Sequence, residues 1–327
     1  MHALLISKKH LTQSGMKDFY RYKLLQNNIN GNFYHLIKNL YSKSSCFIKL
    51  GSRRTKSFKY GRGVRQGCIL SPLLFNLYLN ELSISLDKTV RTDAFLLPNG
   101  AKLTSLMYAD DLVLLSKSRE GLQNSIDCVA DFCTKWQMNI NEKKSKVMIF
   151  QKKSSKKTKQ KTFQVNNREL EIVKEFTYLG VTLSSNGNFA AHQQKSKEKA
   201  LNALFSINRS VDLKKIRPQQ VNKIFNSMVS PILTYASEIW GVYQKRHDFQ
   251  KWDKSQTEKM HLRFCKFYLG VNNKASNIAC RAELGRFPLK IFIDKMILKY
   301  YNHLNSLPHN SYAKQAFLLS KSLHKRG

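Results

Sequence analysis

Apolar positions along this chain recur at two spacings, and the switches between them outline its elements. Leu103-Thr104-Ser105-Leu106-Met107 and Leu112-Val113-Leu114-Leu115 are short apolar runs that read as buried strands, with Tyr108-Ala109-Asp110-Asp111 between them at a hairpin tip. Leu122, Ile126, Val129, Phe132 and Cys133 keep helical spacing, which predicts an amphipathic helix over 119–138. The longest apolar stretch, around 68–82, predicts a core helix with Ser71 as N-cap and Pro72 at its first position. Pro72, Asn76, Asn80 and Glu81 interrupt it, so it is not a membrane span.

Residues 20–50 alternate apolar and basic positions, with Leu24, Leu25, Phe33, Leu36, Ile37 and Leu40 as expected core contacts. Phe47 to Lys59 reads as extended with a turn near Gly51-Ser52. Short strands are expected at Val147–Phe150, Phe163–Val165, Glu171–Phe176 and Tyr178–Leu183, and helices beyond Phe189. Val221, Ile224, Phe225, Met228, Val229 and Ile232 follow i, i+3, i+4, i+7 spacing in a helix that Pro218 opens and Pro231 kinks.

Composition changes this picture in one respect. The 327 residues carry 56 Lys+Arg against 21 Asp+Glu, a formal net charge of +35, and residues 1–80 hold fourteen basic residues and a single acid, Asp18. Such a surplus repels itself in a compact state, so a polyanionic partner, nucleic acid, is the reading preferred over a merely solvated surface. Gln151 to Lys161, with six lysines in eleven residues, reads as a basic connector. Six cysteines without CxxC spacing, and too short an apolar run at the start for a signal peptide, point to reduced thiols in an intracellular protein; a nuclear site is compatible with the charge.

Asp110 and Asp111 carry the candidate chemistry. Two carboxylates held beside so much apolar surface are costly to desolvate unless a cation compensates them, and a divalent metal used for phosphoryl transfer would do so. An ordinary polar hairpin turn is the alternative. A second segment, Gly63-Val64-Arg65-Gln66-Gly67-Cys68, is a glycine-punctuated loop leading into a helix, which offers backbone N–H groups to a nucleotide or template backbone.

Taken in order, GVRQGCILSPLLFNLYLNEL, YADDLVLL, Asn139 to Lys146 and Tyr178-Leu179-Gly180 resemble four successive motifs of reverse transcriptases of the non-LTR, LINE-like retrotransposon type. The similarity runs from about Leu24 to near the C-terminus, including SPILTYASEIWG and RAELGRFPL. It implies Asp110 and Asp111 as catalytic, magnesium-binding carboxylates, in a two-ion site, with Tyr108 near the primer end. Arg65, Gln66 and Gly67 would line the template–nucleotide pocket. Lys144 would act on departing pyrophosphate, unless it is only a surface lysine. Tyr178, Leu179 and Gly180 would form the primer grip. RNA template, DNA primer and dNTP are the implied partners.

One position departs from that pattern. Counting back from Tyr22-Lys23-Leu24-Leu25, the family's first palm aspartate should fall near Ser7, yet residues 3–10 contain no acid. Residues 1–19 do not resemble the family, which is the expectation for a truncated or rearranged copy, or for a wrongly placed start. The expected fold is therefore α+β, an incomplete right-hand polymerase: partial fingers and palm at 1–150, the connector at 151–161, primer-grip hairpin and thumb at 162–235, and a helical C-terminal region at 236–327. The expected function is an RNA-directed DNA polymerase domain with impaired chemistry. A non-catalytic nucleic-acid-binding remnant or domesticated protein is the alternative, and an intron-maturase-type splicing factor a third reading. His261, Cys265 and Cys280 lack a fourth zinc ligand and read as core residues, as do Tyr235, Trp240, Tyr243 and Trp252 in preference to base-stacking aromatics.

Overall fold

The computed structural model describes residues 2–7, 19–59, 67–89, 92–136, 138–150, 162–243 and 252–325. The chain divides into two compact units, Met1–Lys174 and Glu175–Gly327, each of mixed or helical composition.

In the first unit β1 (His2–Ser7) precedes a π-helical turn, Phe19–Leu24, and helix α1 (Gly31–Ser42). Four two-residue strands follow: β2 (Ser45–Cys46), β3 (Lys49–Leu50), β4 (Arg53–Arg54) and β5 (Phe58–Lys59). The long helix α2 (Ser71–Thr89) leads through β6 (Phe95–Leu96) and β7 (Lys102–Leu103) to β8 (Ser105–Tyr108) and β9 (Asp111–Ser116). Helix α3 (Arg119–Lys135), β10 (Lys146–Ile149), β11 (Phe163–Val165) and β12 (Arg168–Ile172) complete the unit.

Six strands form one sheet in the order β11-β12-β10-β1-β9-β8, antiparallel except for the parallel β10–β12 pair. In β9, Leu112, Val113, Leu114 and Leu115 are all buried, and a strand apolar on both faces belongs inside a sheet. Leu74, Leu82 and Leu86 of α2 and Leu122, Ile126 and Val129 of α3 pack into the same core as Leu112, Leu114 and Val147. Ser118 caps α3 by accepting the Gly121 N–H at 2.9 Å. Gly121 is forced by crowding, since a Cβ there would lie 2.6 Å from the Asp93 Cβ. The buried Lys23 ammonium lies 4.1 Å from the Trp136 ring centre and pairs with Glu81, so its charge is compensated where its stem is desolvated.

Several expectations are revised. Of the six apolar residues anticipated as core between 20 and 50, Leu24 and Ile37 are buried, whereas Leu25, Phe33, Leu36 and Leu40 are exposed. The buried stripe of α1 is Ile37 and Tyr41, an i, i+4 pair, and one helix face cannot also bury the positions opposite. The single strand expected at 171–176 is two strands, interrupted at Val173-Lys174 where the units divide. Residues 162–174 thus extend the first sheet.

The second unit opens with the hairpin β13 (Glu175–Tyr178) and β14 (Val181–Ser184) and the long helix α4 (Ala190–Ser210). Helix α5 (Pro218–Ile224) begins at Pro218, passes into a π-helical turn at Phe225–Val229, and resumes as α6 (Ser230–Thr234). Pro231 is the second residue of α6, two positions past that turn, and its missing N–H interrupts the regular ladder there. Then come α7 (Ser237–Trp240), α8 (Gln256–Leu269), α9 (Asn277–Glu283), α10 (Leu289–Ser306) and α11 (Tyr312–Lys325). Phe225, Leu233, Trp240, Met260, Phe264 and Ile293 share its core. Among the described residues no helix is long and apolar enough to cross a membrane.

Candidate functional site

The acidic doublet sits where the β8–β9 hairpin turns. Tyr108 pairs with Asp111 across the ladder, leaving Ala109 and Asp110 as a two-residue loop. Ala109 has φ 51°, a left-handed conformation at the first loop position that matches the twist of tight hairpins but strains an alanine. Asp110 is exposed, Asp111 is partly buried at the head of β9, and Tyr108 projects with 64% of its surface exposed.

Backbone register fixes what faces the doublet. In the antiparallel β1–β9 pair the Cα partner of Asp111 is Ser7. On the other side of β1, Leu5 pairs with Lys146, so the loop carrying Lys144 enters the sheet at the same end. Residues directly opposite in an antiparallel pair share a face, which makes position 7 the position of β1 nearest to Asp111, with Tyr108 its partner on the other side. Asp110, Asp111, Ser7 and Lys144 therefore cluster at one end of the sheet. Gly67 is exposed with φ 79°, and a Cβ there would meet nothing within 4 Å, so backbone conformation selects the glycine. Arg65, Gln66 and the lysine-rich stretch 151–161 lie outside the described residues.

Tyr178-Leu179-Gly180 does not continue as one strand. Tyr178 pairs with Val181, and Leu179 (φ 46°) and Gly180 (φ 82°) form the two-residue turn between them. Two consecutive positive φ values define the primed turn that suits a hairpin. What holds the turn escaped sequence reasoning. The Tyr235 hydroxyl donates to the Leu179 carbonyl at 2.9 Å, and a Cβ on Gly180 would come within 2.9 Å of the Tyr235 ring. The buried His192 accepts the Thr182 N–H at 3.3 Å, anchoring the same hairpin to α4. The sequence reading placed Tyr235 among the core aromatics; the structure leaves its ring half exposed and gives it the clamp on Leu179 instead. Gly180→Ala is expected to destabilise the second unit by about 1–3 kcal/mol, combining φ strain with the ring contact. Urea unfolding of the variant, compared with Gly187→Ala, which shares a positive φ but meets no atom within 4 Å, isolates the contribution of the Tyr235 contact.

The cysteine–histidine cluster is structural. His261 Nδ1 lies 2.9 Å from Glu258 Oε1, and Arg286 Nε donates to its Nε2 at 2.7 Å, so both ring nitrogens are used. Burial pushes the Cys265 thiol up to about 12, the reverse of what a metal-bound thiolate needs. Trp240 and Trp252 are buried and donate to the Tyr235 carbonyl and the Glu258 carboxylate; the Tyr235 ring is half exposed, and the Tyr243 side chain lies outside the described residues.

A family model described as reverse transcriptase (RNA-dependent DNA polymerase) matches residues 16–183, just over half of the chain. Among relatives, the chain is 30% identical over 155 residues to a Pol polyprotein from the type-1 retrotransposable element R2 of Nasonia vitripennis, covering 45% of this chain and 15% of that protein. It is 24% identical over 220 residues to a probable RNA-directed DNA polymerase from transposon BS of Drosophila melanogaster, covering 65% and 23%. The RNA-directed DNA polymerase from the mobile element jockey of the same species is 23% identical over 226 residues, with the same coverage. The chain thus spans less than a quarter of the length of each of these relatives.

Proposed function

This chain belongs to the reverse transcriptase (RNA-dependent DNA polymerase) family, and from that premise we propose that it is a polymerase domain of a non-LTR retrotransposon that handles template and primer but transfers nucleotides poorly. In this reading the six-stranded sheet with α2 and α3 is the palm, the β13–β14 turn is the primer grip, and the helices after it form the thumb and a C-terminal region. RNA template, DNA primer and dNTP are the partners. Tyr108, Arg65, Gln66 and Gly67 serve the template and nucleotide, and Asp110 and Asp111 are the acidic pair.

One observation carries the reading: Ser7 is the Cα partner of Asp111. The family's chemistry calls for divalent magnesium, and a two-ion site draws carboxylates from more than one strand. Here the donors on the hairpin are two adjacent carboxylates, and the residue at the paired position of β1 is a serine. Among the described residues no group of three His, Cys, Asp or Glu is placed to hold a metal ion. In this reading the described residues fall short of a two-ion site. A serine is a neutral and weak ligand, so it cannot offset the charge that a third carboxylate would. The binding functions do not depend on that position, which is why we separate them from the chemistry.

Primer extension on an RNA template with purified protein and Mg²⁺ tests this. Little or no extension is expected, together with retained binding of the primer–template. Robust synthesis abolished by Asp110→Asn would refute it; loss of binding as well would favour a domesticated protein with another partner.

A further inference from the structure

Between the first helix and the glycine loop the chain builds a small hairpin whose composition does not suit its own stability. Ser45 pairs with Lys59 and Cys46 with Phe58; Lys49 pairs with Arg54 and Leu50 with Arg53 around the Gly51-Ser52 turn. The Thr55 N–H donates to the Ile48 carbonyl at 3.0 Å, and the Ile48 N–H to the Thr55 hydroxyl at 2.9 Å. The register slips by one residue between these two sets of pairs, so that Phe47 opposes both Lys56 and Ser57, a bulge that adds twist. Apart from Cys46, every residue from 45 to 59 is exposed.

Two features of this hairpin point outward. Its cations, Lys49, Arg53, Arg54, Lys56 and Lys59, together with Lys43 at the end of α1, stand without an acid between Asp18 and Glu81. Among the described residues none of the six is ion-paired, whereas Lys146 pairs with Glu171 and Arg168 with Glu142 elsewhere in the same unit. Lys49 and Arg54 face each other directly across the ladder, an arrangement that destabilises a pair of strands. Interleaved with the cations are large apolar side chains left in solvent: Phe47 is 49%, Leu50 81% and Phe58 50% exposed. The Arg54 guanidinium already lies 5.0 Å from the Phe47 ring centre, within cation–π range, and both residues are exposed.

We propose that the 45–59 hairpin is a binding surface for single-stranded nucleic acid, with its cations on the phosphates and Phe47 and Arg54 stacking on unpaired bases. The proposal rests on the reading above that the chain handles nucleic acid, and it assigns that role to a surface. A polyanion relieves the Lys49–Arg54 repulsion and the uncompensated charge together. Exposed rings without a basic fringe would fit an apolar protein partner equally well, but the lack of any acid selects the polyanion. Stacking on rings is tolerant of sequence, so base identity matters little, and duplexes, whose bases are already stacked, gain only the electrostatic part.

Fluorescence anisotropy of the full chain with labelled 20-mers of oligo-U, oligo-dT and a duplex, over a salt series, tests this. Lys49→Gln/Arg53→Gln/Arg54→Gln is expected to weaken single-strand binding roughly tenfold or more and to lower the log–log salt slope by about 2, near 0.7 per lost phosphate contact. Phe47→Ala is expected to weaken single-strand binding roughly fivefold or more with the slope unchanged and no effect on the duplex. Arg54→Lys keeps the charge and the slope but loses part of the stacking, and it guards against a misfolded triple variant. Lys199→Gln/Lys259→Gln/Lys274→Gln, three exposed lysines of the second unit, is the control. If the wild-type chain binds and the hairpin triple loses no more than the control, the hairpin assignment is wrong while the nucleic-acid reading stands. If the wild-type chain binds none of the three, both fall.

Discussion

Ser7→Asp is expected to raise Mg²⁺-dependent primer extension by at least about 100-fold over the wild-type chain, because it supplies a third carboxylate beside Asp111. An ångström of misplacement already costs on that order at such sites, and absence of the ligand costs more. The placement follows from backbone pairing: Ser7 and Asp111 are Cα partners, and partners in an antiparallel ladder set their Cβ atoms about 5 Å apart on one face. Strand propensity is little affected, since position 7 ends β1. Incorporation of labelled dNTP by Ser7→Asp and by Ser7→Asp/Asp110→Asn measures the effect; the double variant should return to background. Equal rates for wild type and Ser7→Asp, with folding and primer–template binding intact, would show that the doublet's partner lies elsewhere.

The second large effect concerns stability. Glu258 is fully buried on α8 and gathers four donors: Trp252 Nε1 at 2.8 Å, His261 Nδ1 at 2.9 Å, Arg281 Nη1 at 3.0 Å and the Leu289 N–H at 2.9 Å. Arg281 reaches Asp253 as well, and Arg286, stacked on Phe225, continues the network to Asn222 and Asn226. One carboxylate thus joins four segments of the second unit. Glu258→Ala leaves buried donors and a guanidinium without their acceptor and is expected to cost about 3–5 kcal/mol. Urea unfolding followed by tryptophan fluorescence reads this directly, since Trp240 and Trp252 both lie in that unit's core.

The same network predicts an acid-labile unit. Burial holds the His261 pKa below the ordinary 6.5 and outweighs the hydrogen bond to Glu258. Burial alone would raise the Glu258 carboxyl, but its hydrogen bonds from His261, Trp252 and the Leu289 N–H bring it below the ordinary 4.5. Arg286 donating to Nε2 makes Nδ1 the proton-bearing nitrogen, so the imidazole is neutral and Arg281 balances the carboxylate. For His261 the unfolded chain gains a proton near pH 6.5 that the folded site refuses, so stability declines as pH falls below 6.5. Glu258 contributes stability above pH 4.5 that is lost as pH falls through its depressed folded value. Both contributions fall with acidification, so the urea midpoint should drop from pH 7 to pH 4; Glu258→Ala removes only the carboxylate's share, because it also takes away the partner that raises the His261 pKa.

Local chemistry made most of the first unit legible. The runs at 103–107 and 112–115 predicted the β8–β9 hairpin because only four residues, two of them acidic, separate the apolar strands, which leaves few other geometries. Helix α3 follows from its apolar spacing and α2 from its apolar run, although Ser71 is the first helical residue and Leu70 takes the N-cap place; the turn at Gly51-Ser52 follows from its glycine. The exposed face of α1 was misread, because apolar residues on both faces of a helix do not say which face meets a core. The apolar pattern reads 178–183 as one strand, since only Gly180 signals a turn, whereas the family resemblance implies a hairpin there; Leu179 adopts positive φ under a hydrogen bond from Tyr235, more than fifty residues away.

Residue order alone determined the acidic doublet, its hairpin, the lack of a carboxylate near position 7 and the excess of positive charge, since these depend on neighbours a few residues apart. Tertiary structure alone decided that Ser7 faces Asp111, that Tyr235 clamps the Leu179-Gly180 turn, and that Glu258 gathers Trp252, His261, Arg281 and the Leu289 N–H. Each of those is a pairing across a long loop. Strand register and buried hydrogen bonds are chosen by the packing of the whole unit, which no local window of sequence contains.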